Sequence, residues 1–506
     1  MQQSVYKNGI FPPCPAHFNM AQHTLGHGKT PEKTALEVIK TPGEIAESWS
    51  YEALQLAVLK AAAGFRKLGV IKGDRVALRI GNRSDFPILF FGLNAIGAVP
   101  VPLSGMLTDA EVLPILNDLD AALICADKPM QNPPCKQVSG DDMRDVFTAQ
   151  PVDFVDTLAD DPAYIVFTSG SSGRPKGVVH AQRAAWARRM MWEGWYGLQP
   201  DDRVLHAGAF NWTYTLGAGL TDPWAMGATA LIYTGEKTRG VWAEIAAAHQ
   251  PSIFAAVPGV YRQVLAMDGD LARHFRSLRH GLSAGETLPV RIQQDWNTRI
   301  GKPIYNALGM SEISTYISHA PTTRPRGGTA GMVQTGRKVA VLNADHQPVE
   351  IGQEGLLAVH CSDPGLMLNY LNQPPLTAEW FITGDRAKMD TDGYVTHLGR
   401  DDDLLNAGGF RVSPLEVANA LLTLNGISEC VVTEVLVKRD TSVIAAFYTG
   451  AKQTDTVLKT HCTQSLAAYK CPRIFIHLEK LPRSENGKIQ KQNLQKKYDW
   501  KDNDHT

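Results

Sequence analysis

The stretch from Tyr164 to His180 reads YIVFTSGSSGRPKGVVH, an apolar strand-like run that opens into small residues and closes on a lysine. Glycine lets a backbone approach an anion closely and turn its N–H groups inward. Thr168, Ser169, Ser171 and Ser172 add hydroxyl donors, Gly170 and Gly173 add freedom to turn, and Lys176 adds positive charge. Such a loop suits the β- and γ-phosphates of a nucleotide. Two commoner loops do not fit. A Walker sequence has its lysine directly after the second glycine, but Arg174 and Pro175 separate Gly173 from Lys176. A hydrolase elbow has one residue between serine and closing glycine, whereas Gly173 follows Ser172 directly.

The run from Thr168 to Lys176 resembles the signature of the adenylate-forming superfamily, which contains acyl-CoA synthetases, adenylation domains of peptide synthetases and firefly luciferase. Further motifs follow in that family's order, from the Trp49–Leu54 region to a lysine near the C-terminus. Residues 210–219, 282–289 and 412–417 are most similar to the benzoate and medium-chain acyl-CoA ligases. The resemblance implies an α/β fold with a large N-terminal domain of parallel-rich sheets flanked by helices, residues 1–399. A hinge at 400–403 and a small, mobile α+β domain at 404–506 would follow.

Roles for particular residues come with the resemblance. Ser283-Ala284-Gly285-Glu286 resembles the turn beside adenine and ribose. Asn306-Ala307-Leu308-Gly309-Met310-Ser311-Glu312 resembles the family's aromatic-Gly-x-Thr-Glu motif. There Asn306 would meet the adenine amino group and Ser311 the α-phosphate. Glu312 would ligate a Mg²⁺ bridging the ATP phosphates, a hard cation that takes carboxylate oxygen. Leu308 departs from the tyrosine of many members, so apolar contact replaces stacking on adenine. Asp385, in Phe381–Asp385, is placed to accept from the ribose hydroxyls, as acidic residues do in other nucleotide folds. Arg400 resembles an arginine on ribose or phosphate, Asp402 the hinge, and Arg411 an arginine on phosphate. Gly408-Gly409 resembles the loop whose backbone lines the coenzyme A tunnel. Lys488, within Leu481–Ile489, resembles the catalytic lysine.

The chemistry implied is activation of a carboxylate, whose own leaving group would be oxide. Attack on the α-phosphorus of ATP gives a mixed anhydride and pyrophosphate. Two anions must meet, so positive charge belongs where negative charge builds up, and catalysis is by positioning and electrostatics. A thiol must then stand where Lys488 stood, which requires the small domain to turn about Asp402. The acyl group is expected among Trp212, Thr213, Tyr214, Ala307, Gly309 and Met310. That set holds no Lys or Arg, so the expected tail is uncharged: short or medium aliphatic, aromatic, or a substituted small acid. Two other readings are an adenylation enzyme that loads a carrier protein and a non-catalytic adenylate-binding homologue. The absence of a carrier domain weighs against the first, and Lys488, Glu312 and Asp385 against the second.

Elements must hold these residues in place. Leu54, Val58, Ala61, Phe65 and Leu68 recur at helical spacing over residues 50–69 and predict a helix stopped by Gly69. Residues 86–103 read as a buried helix running into a buried strand, broken by Asn94, two glycines and three prolines and so unfit to span a membrane. Strand-like runs at 76–80, 121–126, 164–168, 228–233 and 253–257 alternate with helical ones, which predicts largely parallel sheets. Beyond 412 the order becomes helix, two strands, helix, strand. With 506 residues the chain exceeds one hydrophobic core. Lys and Arg number 50 against 51 Asp and Glu, which gives no electrostatic reason to expect nucleic acid or an anionic membrane. Seven cysteines without a Cys-x-x-Cys pair argue against a disulfide scaffold or zinc site and fit a reducing cytoplasm. The expected partners are a small carboxylic acid, ATP and coenzyme A, with a homodimer left open.

Overall fold

Ser50 caps the helix Tyr51–Lys67 by accepting from the Ala53 N–H, and Leu54, Val58, Ala61 and Phe65 form its buried stripe. That helix packs on the second predicted one, Asp85–Ala95, which is apolar on every side and runs into the strand Val99–Pro102. The computed structural model describes residues 2–26, 30–168, 175–401, 403, 405–407, 410–438, 441–483 and 489–499. Val99–Pro102 joins Arg75–Arg79, Leu123–Ala126 and Lys136–Ser139 in a four-stranded parallel sheet. The two helices cover one face of that sheet. The helix Asp109–Leu119 and the hairpin Pro162–Thr168/Lys176–Ala181 cover the other.

The largest sheet has 14 strands in two halves. Thr34–Thr41, Thr229–Tyr233, Arg203–His206, Ile253–Ala256, His280–Ser283 and Ile304–Met310 run parallel, as the alternation of strand and helix predicts. From Ile304–Met310 onward the sheet is antiparallel, through Ser314–Ser318, Gly331–Val333, Tyr394–Arg400, Trp380–Met389, Gly355–His360 and Lys338–Leu342 to Val5–Lys7. The physical reason is connection length. Only residues 311–313 lie between Met310 and Ser314, and a parallel crossover needs roughly a dozen residues or more. One strand therefore serves both halves. Residues 304–306 pair in parallel with 281–283, and residues 307–310 pair antiparallel with Ser314–Ser318.

The C-terminal residues build a second core from Leu405, Val412, Val417, Leu421, Val432, Ile444, Leu458 and Cys462. Its strands Ile427–Lys438 and Thr441–Gly450 are antiparallel, and Ile474–His477 adds in parallel. Ser413 caps the helix Pro414–Leu422 and donates to the Leu398 carbonyl of the large sheet. Glu429 takes Arg483 of its own unit at 2.5 Å and Arg262 of the large unit at 2.5 Å. Among the described residues, no helix is long and apolar enough to cross a membrane.

A buried ion pair fixes the backbone behind the strand reversal. Arg188 reaches both Asp222 oxygens, at 2.9 and 2.6 Å, and donates to Ser314 Oγ at 2.8 Å. Tyr196 donates to the same carboxylate at 2.8 Å. Removing one partner of such a pair leaves an uncompensated buried charge. Asp222→Ala is expected to cost about 3–5 kcal/mol in urea unfolding, and Arg188→Met with Asp222→Leu distinctly less. Equal losses would show that the charge is not what holds this corner.

Candidate active site

Ser169, Gly170, Ser171, Ser172, Gly173, Asp402, Gly408, Gly409 and Lys488 lie outside the described residues. Arg411 is described only as a backbone position in the strand Phe410–Val412. The flanks of the phosphate loop are present. Thr168 and Lys176 face each other across the hairpin, with Thr168 half-buried and Lys176 exposed. Lys176 Nζ sits 5.5 Å from the ring centroid of Tyr370, within cation–π range. Tyr370 donates its hydroxyl to Glu312 Oε1 at 2.7 Å. Glu312 is only 8% exposed, and its carbonyl accepts from the Met367 N–H at 2.8 Å. Next to it, the Ser311 carbonyl accepts from His180 Nε2 at 2.7 Å. Burial pushes the His180 pKa down to about 4, so the ring is neutral and carries its proton on Nε2.

Asp385 and Arg400 are directly opposed on neighbouring antiparallel strands. The buried Asp385 carboxylate has His397 Nε2 at 3.2 Å and Arg400 Nη1 at 3.8 Å. Arg400 also donates to the Thr383 carbonyl at 2.8 Å, which folds its guanidinium over Gly384. Position 384 has φ +79°, and a Cβ there would lie 2.7 Å from Arg400 Nη2, so only glycine fits. Tyr370 lies within electrostatic reach of both Glu312 and Arg400. The structure thus sets Lys176, Glu312 and Arg400 around Tyr370, with Asp385 opposite Arg400.

The adenine and acyl candidates distribute along the two-way strand. Ser283 ends its parallel strand beside Asn306 and is fully buried, as is Ala284; Gly285 is exposed and Glu286 half-buried. The Asn306 amide donates to the Ala330 carbonyl at 3.4 Å, leaving its carbonyl oxygen to accept. Ala307 packs with Leu282, Ala284 and Trp195, and Tyr214 leans on the same cluster. Tyr214 donates to the Leu282 carbonyl at 3.1 Å, and its ring centroid is 5.6 Å from that of Trp195. Trp212 and Thr213, both half-buried, open the short helix Thr213–Leu216 that carries Tyr214. Leu308 and Met310 pack elsewhere, on the cluster of Ile313, Tyr316 and Ile317. Gly309 sits at the bulge between them, where a Cβ would lie 2.4 Å from the Ser314 carbonyl. Of the acyl candidates, the structure brings Tyr214 and Ala307 together and sets Met310 apart.

Sequence reasoning missed Tyr370, His180 and His397 as site residues. His180 and His397 each occupy a strand position with no local sign of a partner. Tyr370 lies 58 positions from the carboxylate it holds. The one available signal is a lone aromatic before the turn-forming Asn372-Gln373-Pro374, which ordinarily reads as core.

Residues 26–371 match the family model described as AMP-binding enzyme, and residues 416–488 the one described as AMP-binding enzyme C-terminal domain. The 3-hydroxybenzoate–CoA ligase of Aromatoleum sp. (strain CIB) is 30% identical over 483 residues, covering 88% of this chain and 91% of that one. The benzoate–CoA ligase of Thauera aromatica is 30% identical over 482 residues, covering 88% and 90%. Among solved structures, an anthranilate CoA ligase in complex with anthranoyl-AMP superposes with a TM-score of 0.86 at 25% identity, covering 96% of this chain and 98% of that one.

The buried histidines carry a consequence for stability. Burial pushes His180, His206 and His280 down to about 4, 3 and 4. Each titrates near pH ~6.5 in the unfolded chain, which therefore binds more protons below that pH. Their full contribution is present above about pH 6.5 and is lost as pH falls toward about 4, at up to ~1.4 kcal/mol per pH unit for each ring. Urea unfolding is expected to show a lower midpoint at about pH 5.5 than at about pH 7.5. An unchanged midpoint would contradict burial of these rings as neutral groups.

Proposed function

We propose that this chain, which belongs to the AMP-binding enzyme family and is an ATP-dependent, AMP-forming acid–CoA ligase, acts on a small or medium-sized acid with an uncharged tail, aromatic acids among them. In the first step a carboxylate oxygen attacks the α-phosphorus, the bond to the bridging oxygen breaks, and pyrophosphate leaves. In the second the coenzyme A thiol attacks the acyl carbon, and AMP leaves with the electron pair of the broken C–O bond. The observation that carries the reading is the convergence of Lys176, Glu312 and Arg400 around Tyr370, with Asp385 beside Arg400. Phosphate-binding, metal-binding and ribose-binding chemistry would thereby meet in one place. The acyl tail would lie by Tyr214 and Ala307, whose aromatic surroundings and the relatives' benzoate-type substrates favour a planar ring.

Among the described residues, no group of three His, Cys, Asp or Glu side chains could hold a metal by itself. Mg²⁺ usually takes one or two carboxylates with phosphate oxygens and water, so Glu312 with the polyphosphate fits it. Bound there, it would offset the charge on the polyphosphate. Lys488 would bridge the acid carboxylate and the α-phosphate. The unit from 404 onward would turn about Asp402 to withdraw it and open a thiol path past Gly408-Gly409. The seven cysteines are free, which accords with work in the cytoplasm.

The deciding measurement is carboxylate-dependent ATP–pyrophosphate exchange over straight-chain acids from acetate to dodecanoate, benzoates and sulfur-containing acids. Exchange with at least one acid, followed by thioester formation with free coenzyme A, is the expected result. Exchange without a free coenzyme A thioester would point to a carrier-protein acceptor, and no exchange with any acid would contradict the reading. Lys488→Ala is expected to slow exchange on the order of 10²–10³-fold, the scale of a lost oxyanion donor. Asp402→Pro should spare exchange and depress thioester formation; equal loss of both would remove the hinge assignment.

A further inference from the structure

Tyr370 belongs to a two-residue strand laid antiparallel on the strand that leaves the phosphate loop, with Tyr370 opposite Val178 and Asn369 opposite Val179. Backbone bonds from Leu368 to Val179 at 2.8 Å and from Leu371 to Gly177 at 2.7 Å clamp it there. The same short segment holds Glu312 at two points: the Met367 N–H on its carbonyl and the Tyr370 hydroxyl on Oε1. His180, farther along the loop's outgoing strand, holds the preceding carbonyl of Ser311. Three hydrogen bonds thus tie the small sheet of the phosphate loop to Ser311-Glu312, and Lys176 lies over the ring of the residue that makes the key one.

A free carboxylate can rotate and offers about four acceptor sites. A phenol on Oε1, in the stronger, charge-assisted class of hydrogen bond, fixes that rotation and leaves Oε2 for another partner. We infer that Tyr370 is a positioning residue that couples the phosphate loop to the Glu312 carboxylate, so that nucleotide phosphate and its divalent counter-cation bind as one linked event. This rests on the reading of Glu312 as the cation's ligand. Partners that orient a metal ligand commonly change metal affinity by roughly ten- to a hundredfold when removed, although they touch neither metal nor substrate.

The test is calorimetric titration of the full-length protein with ATP, with and without Mg²⁺ and without any acid, on the wild type, Tyr370→Phe, Glu312→Gln and the double variant. Tyr370→Phe keeps the ring, its packing and its contact with Lys176. It is expected to weaken binding of Mg²⁺–ATP about tenfold and of metal-free ATP less than about twofold. In the Glu312→Gln background the same change should shift Mg²⁺–ATP affinity less than about twofold, because the group it acts through is gone. In the exchange assay the KM for Mg²⁺–ATP should rise while the KM for the acid stays. Three results would overturn the inference: unchanged Mg²⁺–ATP affinity in Tyr370→Phe while Glu312→Gln weakens it, equal weakening with and without Mg²⁺, or additive losses in the double variant. Unchanged affinity in Glu312→Gln would instead remove the reading of Glu312 as a cation ligand, and the inference with it.

Discussion

The arrangement depends on a single strand, Ile304–Met310, that cannot keep the same kind of neighbour along its length. Its first residues lie parallel to His280–Ser283, and its last turn back on Ser314–Ser318 with too little chain between for a crossover. Here the reversal presents Ser311 and Glu312 at the tip, with Asn306 and Ser283 side by side just before it. Gly309 makes the reversal possible, since any side chain would strike the returning backbone. Moving this strand by one residue would face Ala307 away from Tyr214 and Glu312 away from Tyr370.

Charge placement around the reversal is organised in advance. Arg188 with Asp222, and Arg337 with Asp363, are fully buried pairs whose guanidinium groups also bond Ser314 Oγ and the Thr315 carbonyl, on the strand that follows Glu312. Asp222 accepts from Arg188 and Tyr196 on both oxygens, which is the condition under which a buried ion pair is tolerated, whereas Arg337 Nε and Asp363 Oδ2 are buried without a partner. The candidate carboxylates Glu312 and Asp385 are nearly as buried; Tyr370 holds Oε1 of the first, and His397 and Arg400 face Oδ1 of the second. Groups fixed before the substrate arrives need no reorganisation when charge develops, which is where most electrostatic catalysis originates.

Local signals were legible in the chain, and long-range ones were not. Helices Tyr51–Lys67 and Asp85–Ala95 and the helix, strand, strand, helix, strand order after residue 412 follow from periodicity and caps within a few residues, whereas the segment from Lys176 reads as strand or helix and is a strand only in the fold. The antiparallel half of the large sheet was not legible as a whole, because some of its strands pair with partners far away in the chain. Val5–Lys7, for example, pairs with Lys338–Leu342. Motif residues such as Asp385 and Glu312 could be named from sequence, but not the groups that orient them. Tyr370 meets Glu312 and His397 meets Asp385 only through strand register, a tertiary fact. Met310, expected as a pocket wall, shares the face of Leu308 by strand alternation and packs with it on the cluster of Ile313, Tyr316 and Ile317.

The interface between the two units bears on how readily the small one could turn. Arg483 precedes Lys488 by five residues and is bound to Glu429 within the same unit, so the two would travel together. Among the described residues, the ties that a rotation must break include Arg262 on Glu429, Arg291 on the Ile427 carbonyl at 3.0 Å, and Ser413 on the Leu398 carbonyl. In the Arg262–Glu429 pair the arginine side chain is 36% exposed and the glutamate 15%, so the pair is half-buried, and Glu429 keeps Arg483 when Arg262 leaves. Arg262 also lies within electrostatic reach of Glu286 in the turn after Ser283, so releasing Glu429 leaves the cation near another carboxylate. An exchange of one anionic neighbour for another keeps the charge compensated on both sides of the motion. An interface of this kind can therefore open without stranding a buried charge, which sets it apart from the Arg188–Asp222 corner that anchors the large unit.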